Sequence, residues 1–114
     1  MPQPHRETFS IAASGTASNG RGGNGKRLVA LYVPTMDSTT IQFEASTDGG
    51  STWDDIFTNS GTPAAVTLGT ANTGSAWQAV PEDVGRISAV AEVRLKTAAQ
   101  SGGARTLIGL WEAP

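Results

Sequence analysis

The stretch Ile41-Gln42-Phe43-Glu44-Ala45-Ser46-Thr47-Asp48-Gly49-Gly50-Ser51-Thr52-Trp53-Asp54-Asp55-Ile56-Phe57-Thr58 decides the fold. Ile41, Phe43 and Ala45 alternate with Gln42, Glu44 and Ser46, the period-two pattern of a strand with one buried and one wet face. Thr47 to Ser51 reads as a tight turn, and 52–58 as a returning strand with Trp53, Asp55 and Phe57 on one face and Asp54 and Ile56 on the other. Together they read as an antiparallel hairpin. Just upstream, Arg27-Leu28-Val29-Ala30-Leu31-Tyr32-Val33 is apolar on both faces until Pro34 stops the ladder, so a central strand is expected there.

Outward from this hairpin, Phe9, Ile11 and Ala13 alternate with Thr8, Ser10 and Ala12, giving a strand at 7–14 behind a flexible arm at 1–6. Residues 15–25 are Gly-, Ser- and Asn-rich without periodicity, and a long mobile loop is expected. Weaker strands at 64–69 and 76–80 flank a Gly/Asn turn at 71–75. Residues 81–99 fit two templates. Val84, Ile87, Ala91, Leu95 and Ala98 make a helical stripe, whereas Ala91, Val93 and Leu95 alternate with Glu92, Arg94 and Lys96. Pro81 followed by two acids suits a helix start, so at most one short helical turn is expected near 81–87. A strand at 88–97 follows on the weight of Val90, Val93 and Thr97, then a turn at 100–103 and a last strand at 105–111.

The count is about eight strands at sandwich-like spacing, so the chain is expected to be all-β. The expected form is an antiparallel, jelly-roll-like β-sandwich forming one domain over 7–114, with Phe43, Trp53, Leu95 and Leu110 in its core. A fibronectin-type or carbohydrate-module sandwich is the next candidate. The 114 residues suit a single core, and fourteen glycines supply its turns. Eight Lys plus Arg against ten Asp plus Glu argue against a polybasic nucleic-acid binder. The absence of cysteine removes disulfides, thiolate zinc sites and cysteine nucleophiles. No apolar run approaches the roughly 20 residues of a membrane helix, and the first residues lack the apolar middle of a signal peptide. Synthesis in a cytoplasm, with no membrane partner, is therefore expected.

Few motifs carry chemistry. Gly20-Arg21-Gly22-Gly23-Asn24-Gly25 satisfies G-x-G-x-x-G, but a phosphate cradle needs a strand before it and a helix after it. This one leads into a strand, so no nucleotide cofactor is expected. Ser46, Asp48, Gly50 and Trp53 resemble the Asp-box, S-x-D-x-G-x-T-W, of sialidases and other β-proteins. The aspartate accepts backbone N–H bonds, the glycine supplies a positive φ and the ring covers the hairpin base, so the role expected is structural. Asp54 and Asp55 fall on opposite strand faces and cannot act as a carboxylate pair, and a calcium site from Asp48, Asp54 and Asp55 lacks convergence from several loops. His5, the single histidine, sits in the Pro-flanked arm and reads as solvated, leaving no base for a serine nucleophile. No catalytic, metal-binding or cofactor-binding residue is expected, and the chain reads as a non-enzyme. Trp53, Trp77 and Trp111 read first as core cover and second as a sugar-stacking platform.

Taken together, Gly25-Lys26-Arg27-Leu28-Val29-Ala30-Leu31-Tyr32-Val33-Pro34, Ile41 to Ser46, the turn with Trp53, the Gly/Thr-rich middle and Val93-Arg94-Leu95-Lys96 resemble the small β-sandwich virion proteins of tailed bacteriophages. Head decoration, or cement, proteins are the nearest in size. The resemblance implies a jelly roll or related sandwich, often a homotrimer, bound to the major capsid protein on the outside of the shell over capsomer junctions. Arg6, Arg21, Lys26 and Arg27, cations next to the expected arm and loop, are the candidate capsid contacts. A carbohydrate-binding or adaptor module of a tail or baseplate is the alternative.

Overall fold

The computed structural model describes residues 5–37, 40–68 and 76–113. The expected turn at 71–75 and the first four residues of the arm lie outside them. Along the chain run β1 (His5–Ile11), β2 (Arg21–Gly22), β3 (Arg27–Val33), β4 (Thr40–Ser46), β5 (Asp54–Asp55), β6 (Ala65–Thr67), β7 (Ala76–Ala79), α1 (Glu82–Ser88), β8 (Glu92–Lys96) and β9 (Arg105–Glu112). All strand pairs are antiparallel.

The pairing is nested. β1 pairs β9, β2 pairs β8, β3 pairs β7, and β4 pairs β5 and β6 along one edge, as two halves of an interrupted strand. A long antiparallel ribbon folded over on itself gives this order, and it closes into a first sheet β1-β9-β3-β7 and a second sheet β2-β8-β4-β5, with β6 also on β4. The two layers make the jelly-roll sandwich the alternation predicts.

The core lies between the layers. Phe9, Ile11, Leu31, Leu107 and Trp111 from the first sheet meet Ile41, Phe43, Val66, Val93 and Leu95 from the second, all buried. Two of the four expected core residues, Phe43 and Leu95, are there. Leu110 is not, because the inward positions of β9 are Leu107, Gly109 and Trp111, and Leu110 faces outward opposite Arg6 and Ala30. Trp53 is half-buried on the outer side of the second sheet beside Arg94. Of the strand expected at 52–58 only Asp54–Asp55 forms, as β5; Ile56 just beyond it is buried and Phe57 is exposed.

Three further expectations change. The arm is shorter than expected, since His5 and Arg6 already belong to β1. The Gly-rich stretch 15–25 is stitched along β8: Thr97 N–H donates to Thr16 O at 2.8 Å, Ser18 N–H to Leu95 O at 3.0 Å, and Arg21 pairs with Val93 as part of β2. It fixes itself through backbone hydrogen bonds where its side chains offer no apolar surface. The helix reaches Ser88, and the strand expected from 88 begins at Glu92. Val90, weighed as a strand residue, sits in the intervening turn with its side chain 81% exposed.

Candidate functional site

The Asp-box-like turn is built by two oxygens. The Ser46 hydroxyl donates to Asp48 Oδ1 at 2.7 Å and accepts from Gly50 N–H at 2.9 Å, while Asp48 Oδ1 also accepts from Thr52 N–H at 2.9 Å. Gly49 and Gly50 take φ of 75° and 92°, which favour glycine. The Ser46 hydroxyl first, then Thr52 and the Ser51 backbone, hold the Asp48 carboxyl down at about 2. Trp53 beyond the turn lies against Gly50 and Gly20, and the Arg94 guanidinium sits 4.5 Å from the centre of its ring. A Cβ on Gly20 would come within 2.7 Å of the indole, so the G-x-G-x-x-G stretch supplies a seat for this ring.

The outer face of the second sheet is polar and self-neutralised. Arg94 Nε meets Glu44 Oε1 at 2.8 Å and Lys96 Nζ meets Asp55 Oδ1 at 3.3 Å. Asp54 and Asp55 both stay exposed in the two-residue β5. Among the described residues no cluster of His, Asp or Glu has the makings of a metal centre.

The outer face of the first sheet has the opposite character. Register aligns Thr8, Ile108, Tyr32 and Trp77 in one row across its four strands, and Arg6, Leu110, Ala30 and Ala79 in the row beside it. Tyr32 and Trp77 meet edge to face with ring centres 5.3 Å apart, and Trp77 is 47% exposed. A bulge at Leu28/Ala30 shifts the register of β3, and Ala30 and Tyr32 then fall on this outer face. The signal was in the sequence, since β3 is apolar on both faces. A second covering layer is the usual cause of that pattern, and here the second apolar face meets solvent.

The four candidate cations do not form one patch. Arg6 and Arg21 line a shallow groove with His5, Glu7, Thr8 and Ile108. Arg21 is already engaged there, donating from Nε to Thr8 O at 3.1 Å. Arg27 lies two strands from Arg6, opposite Glu112, in a separate groove with Val80 and Glu82, and Lys26 follows the turn that Asn24 closes. Two buried polar residues escaped the sequence reading. Gln100 accepts from Asp37 N–H at 3.0 Å and donates to Ala98 O at 2.8 Å. Ser88 accepts from Leu28 N–H at 2.9 Å and donates to Gly85 O at 2.8 Å. In comparisons with known proteins, neither a protein-family model nor a curated protein sequence matches the chain.

Proposed function

We propose that the chain is a structural virion protein, a head decoration protein that binds the major capsid protein on the outside of a bacteriophage head and stabilises capsomer junctions. The observation that carries this reading is the contrast between the two outer faces. One is closed by its own ion pairs, and the other carries half-buried Ile108, Leu110 and Tyr32 beside the more exposed Trp77. An apolar strip rimmed by Arg6, Thr8 and Thr106 suits adhesion to a large surface. By linkage, a protein that binds only the mature shell stabilises that shell, and many copies make modest individual affinity sufficient. The residues proposed to touch the capsid are therefore the outer row together with Arg6, with Arg27 at the same end of the sheet.

The test is copy number in gradient-purified virions by quantitative mass spectrometry. The decoration reading expects copies on the scale of the major capsid protein's capsomers, and heads that lose heat resistance when the protein is stripped. A handful of copies per particle contradicts it. The second reading, a carbohydrate-binding module of a tail, draws on the half-exposed Trp77 beside Tyr32, an aromatic pair able to stack on a pyranose. Tight binding on a glycan array that Trp77→Ala abolishes selects it instead.

A further inference from the structure

The two edges of the first sheet are treated differently. At β1 the outward backbone groups are taken up by side chains. Asn19 Oδ1 accepts from Ser10 N–H at 2.7 Å, and both Asn19 Nδ2 and Arg21 Nε donate to Thr8 O. Side chains here stand where another strand would lie, which is how native sheets block edge-to-edge pairing. At the other edge β7 pairs with β3 alone among the described residues. Its sequence, Ala76-Trp77-Gln78-Ala79, has neither charge nor proline, and Ala76, Trp77 and Ala79 are exposed.

Which backbone groups face out at β7 follows from one bond. Val80 N–H donates to Val29 O at 3.0 Å, in step with the register Ala79↔Ala30 and Gln78↔Leu31. Alternation along an antiparallel ladder then turns Gln78 toward β3 and leaves the N–H and C=O of Trp77 and Ala79 aimed away from the sheet.

We propose that this edge pairs with the same edge of a second copy of the chain, antiparallel about a twofold axis through Gln78. In that register Trp77 of each copy lies opposite Ala79 of the other, and each such pair exchanges two N–H···O bonds. A large indole meets a methyl group on both sides of the axis. The two Gln78 residues face one another across the non-bonded position, amide to amide. A one-residue slip would set the outer face of one copy against the inner face of the other, so burial fixes the register. The same pairing joins Ile108, Tyr32 and Trp77 of one copy to Ala79, Ala30 and Leu110 of the other in one strip across both sheets. The contact is isologous and closes at two copies, in place of the threefold arrangement that the phage resemblance implies. A four-residue ribbon is small beside the roughly 800 Å² per partner of a standard interface, so the pair dissociates on dilution. None of this depends on a virion role.

The chain has no cysteine, so single-cysteine variants report the pairing directly. Opposed Cα atoms at a non-bonded antiparallel position are about 4.5 Å apart, inside the roughly 4.4–6.8 Å range of a disulfide. Gln78→Cys is expected to oxidise in air to a species of twice the 11.7 kDa chain mass, while the exposed control Ala98→Cys stays at one chain. Sedimentation velocity on the wild type is expected to show a reversible monomer–dimer equilibrium. Ala79→Pro removes only an outward N–H and should weaken that equilibrium about tenfold or more. Crosslinking of Gln78→Cys no greater than the control, or a wild-type mass of one chain up to millimolar concentration, overturns the proposal. So does a dimer that Ala79→Pro leaves unchanged.

Discussion

At the scale of single residues, the Asp48 carboxylate organises the hairpin turn, and its lowered pKa sets a pH signature. Its ordinary value of 3.8 falls to about 2 in the folded chain, so its stabilisation is fully present above pH 3.8 and is lost as pH falls through about 2. Urea midpoints of wild type and Asp48→Asn should therefore differ by a constant amount from neutral pH down to about pH 4, then converge toward pH 2. A difference that grows on acidification contradicts this role. Gly20 tests the seat of Trp53. Gly20→Ala drives a methyl group into the indole and should cost about 1–3 kcal/mol, and much of that cost should vanish in a Trp53→Ala background. Additive costs in the double mutant would mean that the ring and the loop do not touch. The turn residues were legible in the sequence because each carries its own local chemistry. The Gly20 contact was not, because it joins positions 20 and 53 through tertiary packing.

At the scale of elements, α1 is a seven-residue helix too short to stand alone, and it is held by what it touches. The Ser88 hydroxyl caps the Leu28 N–H at the bulge of β3, and Gly85 packs its backbone against Leu28 O. Ser88→Ala leaves that buried N–H without its acceptor and should destabilise by about 1–3 kcal/mol in denaturant melts. A change below a few tenths would show that water replaces the hydroxyl. The same junction shows why 81–99 was ambiguous on paper. Val84 and Ile87 do belong to a helical stripe, Val93 and Leu95 do alternate, and the switch between periods falls in the turn at 89–91, where Val90 misleads by its β-branch alone. Likewise 15–25 lacks an apolar pattern because it is held by backbone bonds to β8, which leave no periodicity to read.

At the scale of the whole molecule, two layers share one core and present unlike exteriors. Alternation in β4 and β8 made the sandwich legible: Val93 and Leu95 alternate cleanly, and β4 does so through Ile41 and Phe43, before Ala45 is left half-buried and Ser46, expected on the wet face, is buried under the turn. The apolar outer face was half legible: β3 showed two apolar sides, but only the sheet order reveals that Tyr32, Trp77 and Ile108 line up on the outer one. Ile108 is half-buried outside the core, so Ile108→Asp should lower the thermal midpoint far less than a core change such as Leu107→Asp, while removing binding to heads. The most direct measurement is co-sedimentation of purified protein with expanded phage heads, comparing wild type, Ile108→Asp and a Glu44→Gln/Arg94→Gln variant of the opposite face. The expected result is saturable occupancy by the wild type and by the second-sheet variant, with occupancy lost for Ile108→Asp. Equal occupancy by all three, or no binding to heads at any concentration, contradicts the account.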